Sequence, residues 1–190
     1  MNENNKRLHH QGQSLWVDNI TRAMLDEGTL EKYIAEFSVT GLTSNPTIFQ
    51  KAVTGSSQYD AQIKELAAGE SDPEKIFFEL AISDLRRAAD LFQETHERSN
   101  GVDGFVSLEV SPLLADDTDA TIGQATDLHG RADRKNLYIK IPGTEAGLPA
   151  IEETIFRGIP VNVTLLFDKD QYLAAADAYM RGVERRIEAG

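Results

Sequence analysis

The sequence contains no cysteine. Disulfide frameworks, thiolate metal sites and cysteine nucleophiles are thereby excluded. Long apolar runs are also missing: the hydrophobic stretches are short and broken by charge, well under the roughly 20 residues of a spanning helix. The polar start MNENNKRLHH has no apolar core of a secretion signal. No membrane partner is expected, and a cytoplasmic location follows as the default. Basic residues are in deficit, with 19 Lys and Arg against 31 Asp and Glu and a net charge of -12. Such a field repels phosphate backbones, so no nucleic-acid partner is expected, and a phosphorylated ligand must be small and held locally. His9 and His10 stand in the leading tail with no third ligand nearby, which argues against a metal site. Repeats, low-complexity segments and Pro/Gly/Ser-rich linkers are absent as well. What is present is a chain of 190 residues, 41% hydrophobic and 26% charged, which suits one globular domain with a substantial core.

Short β-branched or aromatic runs alternate with longer stretches in which apolar residues recur every three or four positions. The strand candidates are residues 14–19 (SLWVDN), 38–45 (SVTGLTSN), 103–110 (DGFVSLEV), 136–141 (NLYIKI) and 159–167 (IPVNVTLLF). The clearest helix opens at Asp72 as N-cap with Pro73 in its first position, and carries Phe77, Ala81, Leu85, Ala88 and Phe92 along one core-facing side. A second strong start is Asp168 with Gln171 three residues on, followed by Tyr172, Ala175, Tyr179, Val183 and Ile187 at helical spacing. Those aromatics read as packing. Strands alternating with helices imply a parallel sheet, either doubly wound or closed as a TIM (β/α)8 barrel.

The strand faces separate the two architectures. Side chains alternate along a strand, so Leu137, Ile139 and Ile141 share one face of the fourth strand, while Asn136, Tyr138 and Lys140 share the other. The third strand opposes Val106, Leu108 and Val110 to Phe105, Ser107 and Glu109. The first opposes Leu15 and Val17 to Trp16 and Asp18, and the fifth opposes Val161 and Val163 to Asn162 and Thr164. The second adds Thr43 and Asn45 just before Pro46. A doubly wound sheet needs aliphatics on both faces. A barrel needs them on one, with its active site at the C-terminal rim, so the barrel is favoured and its expected polar cluster is Asp18, Thr43, Asn45, Glu109, Lys140, Asn162 and Thr164.

Lys140 stands between β-branched and aromatic neighbours in YIKIPGT. Burial favours the neutral amine, which can attack a ketone and form a Schiff base. The alternative is an edge-strand or snorkelling lysine. Asp18 and Glu109 can serve an amine as general acid and base, or pair with it as a structural ion pair. Thr164 and Asn162 can equally hydrogen-bond strand ends. Pro142, Gly143 and Thr144 can be read as an anion-binding turn at a helix start, although the spacing of a nucleotide-binding P-loop is lacking.

The segments LWVDNI, TGLTSNPTIF, SLEVSP, NLYIKIPGT and VNVTLLF, in this order from about residue 12 onward, resemble the transaldolase family. The resemblance implies a class I Schiff-base transferase on a (β/α)8 barrel, working without metal or organic cofactor. By motif, Lys140 resembles the Schiff-base lysine, Asp18 the carboxylate that exchanges the proton of the donor's C4 hydroxyl, and Glu109 the group that activates the catalytic water, held with help from Thr164. Thr43, Asn45 and Asn162 resemble the residues that bind the dihydroxyacetone part. Substrates would be fructose 6-phosphate or sedoheptulose 7-phosphate as donors and an aldose phosphate as acceptor, in the pentose phosphate pathway. A fructose-6-phosphate aldolase-like lyase is the neighbouring reading, but that group resembles this chain less at Glu109, where it carries glutamine. A noncatalytic remnant is the third.

The resemblance covers about the first five βα units of a barrel that has eight. The expected organisation is a tail at 1–13 and a partial barrel domain at 14–190, with open edges at the first and fifth strands that are compatible with a homo-oligomer. The motif of the sixth strand that contributes to phosphate binding has no counterpart, so the 190-residue chain is expected to be inactive alone.

Overall fold

The computed structural model describes residues 2–190. Five parallel strands form one sheet in chain order, β1-β2-β3-β4-β5. They are β1 (Leu15–Val17), β2 (Val39–Thr43), β3 (Val106–Glu109), β4 (Leu137–Pro142) and β5 (Val161–Thr164). Helices alternate with them, so the fold is a parallel β/α arrangement of the partial TIM-barrel type. All five strand candidates are found; four are shortened at their ends, and the fourth is shifted by one residue, to Leu137–Pro142. The chain resolves into two compact units, Met1–Leu108 with Arg134–Leu137, and Glu109–Asp133 with Tyr138–Gly190.

In the first unit, α1 (Glu3–His10) occupies what reads as a tail in the sequence. Asn2 caps it by accepting from the amides of Asn4 and Asn5. It is fixed to α3 (Thr29–Phe37) through Asn2 N donating to Glu36 O at 2.6 Å and Asn5 Nδ2 to Phe37 O at 2.7 Å. Those carbonyls lie in the last turn of α3, where no intrahelical donor reaches them. Between them in sequence stand β1 and the short α2 (Arg22–Asp26), and after β2 come α4 (Pro46–Thr54) and α5 (Asp60–Leu66). The long helix α6 (Pro73–Arg98) starts as its sequence indicates, with Asp72 accepting from Glu74 N and Pro73 in the first turn. Ala81, Leu85, Ala88 and Phe92 are buried, whereas Phe77 is only half-buried and Phe78 takes the core position beside it. Complete burial of Leu85 and Phe92 contributes about 1.5–3 kcal/mol each.

β1 and β2 pair with Trp16 opposite Gly41. A Cβ on Gly41 would stand 2.3 Å from Trp16 Cε2. The indole therefore lies on bare backbone, and only glycine leaves that space.

In the second unit, α7 (Thr118–Ala132), α8 (Gly147–Phe156) and α9 (Lys169–Ala189) accompany β4 and β5. α9 opens at Asp168, which accepts from Gln171 N at 2.8 Å, and Gln171 Oε1 in return accepts from Phe167 N at 2.8 Å. Its buried stripe differs from the expected one. Ala175, Ala178 and Gly182 are buried, while Tyr172, Tyr179 and Ile187 are exposed. Close approach decides this: a Cβ at Gly182 would meet Glu152 O at 2.6 Å, so α8 and α9 touch through small residues and the aromatics turn outward.

Candidate functional site

Strands β3 and β4 keep the polarity split read from the sequence. Val106, Leu108, Leu137, Ile139 and Ile141 are at most 2% exposed, and the opposite parity carries Glu109 and Lys140. Desolvating this aliphatic face is what holds the register, since a one-residue slip would bury the polar set.

In the second unit, Lys140 is 8% exposed and its Nζ lies 2.9 Å from Oε2 of Glu109. The backbone fixes the pair, because Val110 N donates to Lys140 O at 3.2 Å and so ties the residue after Glu109 to the lysine itself. The approach is an ion pair by distance. Asn162 stands opposite Lys140 in the β4–β5 register and Thr164 opposite Pro142. Parallel register partners share a face, so Asn162 is the direct neighbour of the lysine. The hydroxyl of Thr164 is buried and has no hydrogen-bond partner among the described residues, although its carbonyl accepts from Gly143 N at 2.8 Å. An amine, a carboxylate, a carboxamide and an unused hydroxyl are thus set on three adjacent strand ends. Such a set can add a nucleophilic nitrogen to a carbonyl and move protons beside it.

The turn after Lys140 is closed by its own residues. Thr144 Oγ1 donates to Ala115 O at 2.7 Å and accepts from the amide of Gly147, the first residue of α8, at 3.0 Å. Its hydroxyl is spent on structure.

The first unit holds the other three sequence candidates. Asp18 follows β1 and is exposed. Thr43 ends β2, its hydroxyl 3.4 Å from Ser44 O. Asn45 is the N-cap of α4: its Oδ1 accepts from Thr47 N at 3.0 Å and Ile48 N at 3.4 Å, with Pro46 in the first turn. The side-chain oxygen is therefore committed to the helix, and its Nδ2 group is the end left to donate to a ligand.

Two positioning contacts had no clear signal in the sequence. Ser44 Oγ donates to Ser107 O at 2.8 Å and locks the TSNP turn onto β3. Ser111 N donates to Gln124 Oε1 at 2.5 Å and fixes the turn that follows Glu109. Each joins residues far apart in sequence by a single polar atom, and no periodicity announces that. Among the described residues no group of three or more His, Cys, Asp or Glu could hold a metal ion, and no helix is long and apolar enough to cross a membrane.

Comparison with known proteins bears on these residues. The family model described as transaldolase/fructose-6-phosphate aldolase matches residues 15–187. Similar curated proteins include transaldolase 2 of Nostoc punctiforme, 45% identical over 183 residues (96% of this chain, 48% of that protein). The transaldolase of Mycolicibacterium paratuberculosis is 47% identical over 189 residues (100% of this chain, 51% of that protein), and that of Frankia alni is 46% identical over 183 residues (96% and 49%). The chain spans about half the length of the curated relatives it matches.

Proposed function

From the premise that this chain belongs to the transaldolase/fructose-6-phosphate aldolase family, we infer that it carries the Schiff-base half of a transaldolase. The observation that carries the reading is the buried Lys140 amine paired at 2.9 Å with Glu109 beside the unpartnered Thr164 hydroxyl. In the inferred reaction Nζ of Lys140 adds to the ketone of a ketose phosphate and water leaves, forming an imine. Glu109 moves the protons of that water, and Thr164 holds it. Asp18 takes the C4 hydroxyl proton as the carbon–carbon bond breaks, and later returns it when the three-carbon unit adds to an aldose phosphate. Asn162, Thr43 and Asn45 bind the dihydroxyacetone part, Asn45 through its amide nitrogen. No metal or organic cofactor enters the scheme. The pentose phosphate pathway and a cytoplasmic setting come with the family reading.

Transfer is favoured over release of the three-carbon unit by the carboxylate at Glu109 and by the relatives named transaldolase. We further infer that the 190 residues alone turn over at background. β1 and β5 each have one neighbour in the sheet, and an unpaired strand edge exposes donors and acceptors to water or to another copy.

Borohydride trapping tests the assignment. Fructose 6-phosphate and borohydride are added to the chain and to a version extended through the remaining strands of a relative. A reduced adduct that maps to Lys140 in the extended protein is expected. An adduct on another lysine, or none in a demonstrably folded extended protein, overturns the assignment. Turnover of the monodisperse 190-residue chain at the rate of the extended protein overturns the inactivity.

A further inference from the structure

A cavity of about 390 Å³ in the first unit is lined by Lys6, His9 and His10 of α1, Thr95 and Arg98 of α6, and the α3–β2 junction at Ser38 and Thr40. In a protein of net charge -12 this pocket gathers four basic side chains and, among its described lining residues, no carboxylate. Two of the lining residues carry buried hydroxyls with no hydrogen-bond partner among the described residues, Oγ1 of Thr40, which is 6% exposed, and Oγ of Ser38. A buried hydroxyl without a partner is costly, so a ligand that accepts from these groups recovers what folding leaves unmade.

The basic groups are free to turn toward such a ligand. Lys6 meets Glu3 at 2.8 Å and Arg98 meets Glu94 at 3.4 Å, but the carboxylates are 78% and 88% exposed. Pairs of that kind hold their partners weakly. A multiply charged anion that also accepts from Ser38 and Thr40 outcompetes them, because charge-assisted hydrogen bonds are the stronger class.

We propose that this cavity binds a phosphate group, either as inorganic phosphate or as the phosphate of a small ester. It lies at the N-terminal end of β2, whereas Thr43 and Asn45 stand at the opposite end of that strand, so the site is distinct from the catalytic assignment and survives or fails without it.

Titration calorimetry of the 190-residue chain with sodium phosphate, at constant ionic strength in chloride, reads the binding. A saturable single site is expected, weakened about tenfold or more by Lys6→Gln with Arg98→Gln and weakened also by Thr40→Val. Parallel titration with glycerol 3-phosphate tells the sources apart: the tighter ligand is the one the pocket is shaped for, and either supports the phosphate site if the same variants weaken it. On the unmodified protein, phosphate should shift the ring resonances of His9 and His10 while those of His96 and His129 stay in place. No saturable binding, affinity unchanged in the Lys6/Arg98 variant, or shifts confined to other residues overturns the proposal. The resonance experiment decides the matter where a variant does not fold.

Discussion

Removing the Asp84 carboxylate is the sharpest test of how the first unit is held together. Asp84 lies inside α6 with no exposed surface, and Arg22 at the start of α2 donates to its Oδ1 from Nε at 3.0 Å and from Nη2 at 2.9 Å. Tyr59 donates its hydroxyl to Oδ2 at 2.9 Å, accepts from Arg22 N at 2.9 Å and places its ring 4.3 Å beneath the guanidinium. Burial raises the pKa of Asp84, against the opposing pull of the Arg22 charge and of these hydrogen bonds. A raised carboxylate contributes stability only at pH below its ordinary value and forfeits it as pH rises through the folded value, so at neutral pH the ionised form is a net cost of burial. The pair is thus costly to bury and worse to break. Asp84→Ala leaves Arg22 buried without its counter-ion and should cost about 3–5 kcal/mol. For a chain of this size that is a fall of about 6–20 °C in melting temperature. Arg22→Met with Asp84→Leu removes both charges, and should recover most of the loss. Thermal unfolding followed by circular dichroism at pH 7 measures all three proteins. A fall under about 3 °C for Asp84→Ala, or a double variant no more stable than the single, refutes the reasoning that desolvation dominates this cluster.

Gly41→Ala should drive the Trp16 indole off β2, shift the emission of the one tryptophan, and cost about 1–3 kcal/mol by overpacking; an unchanged spectrum would show that the ring moves freely. Asn136 is fully buried and donates to Ala89 O and Gly104 O, both at 2.9 Å. Asn136→Ala should lower the melting temperature by about 2–12 °C, and no change would mean those carbonyls find other donors. On α8, hydrogen bonds from Arg181 to Glu152 and from Arg157 to Glu153, joined by Arg185 to both, hold the two carboxyls below their ordinary value of 4.5. A depressed carboxylate contributes stability above its unfolded value and loses it as pH falls through the folded one. The melting temperature should therefore decline below pH 4.5, and Arg181→Gln with Arg185→Gln should flatten that decline. An equally steep decline in the variant would remove the network from acid unfolding.

The sequence carries the start of a helix well, because a cap is local. Asp72-Pro73 and Asp168 with Gln171 satisfy their own first-turn amides, and both read correctly. Strand faces are also legible where strands are covered on both sides, as in β3 and β4. They blur in β5, whose four residues are all half-buried, because the strand has a neighbour on one side only. The buried stripe of α9 departs from its hydrophobic periodicity for a different reason. Hydrophobic periodicity weights Tyr172 and Tyr179 above Ala175 and Gly182, yet helix approach at 2.6 Å from a would-be Cβ rewards the smallest side chains. α1 was hidden by its low apolar content; it docks through backbone carbonyls of α3, a contact with no hydrophobic signature. Asp84 inside an amphipathic helix gives no sign of a partner 62 positions away.

The bonds left unmade say more about the candidate site than the bonds made. Lys140 and Glu109 taken alone describe a buried ion pair, which structural proteins also contain. A pair kept for packing gains by completing its hydrogen bonds, since each buried polar atom left without one costs about 1–3 kcal/mol. One such atom among the described residues, Thr164 Oγ1, occurs within this strand-end group. Its cost of about 1–3 kcal/mol is a sizeable part of the 5–15 kcal/mol that holds a typical domain. An apolar substitute at position 164 of the same size, valine, would spare that cost. Thr164→Val therefore separates the two readings: if the hydroxyl serves only the fold, the variant is at least as active in the extended protein as the parent; if it holds the catalytic water, the variant is more stable and its imine forms and hydrolyses more slowly. Greater stability with undiminished turnover would take Thr164 out of the mechanism.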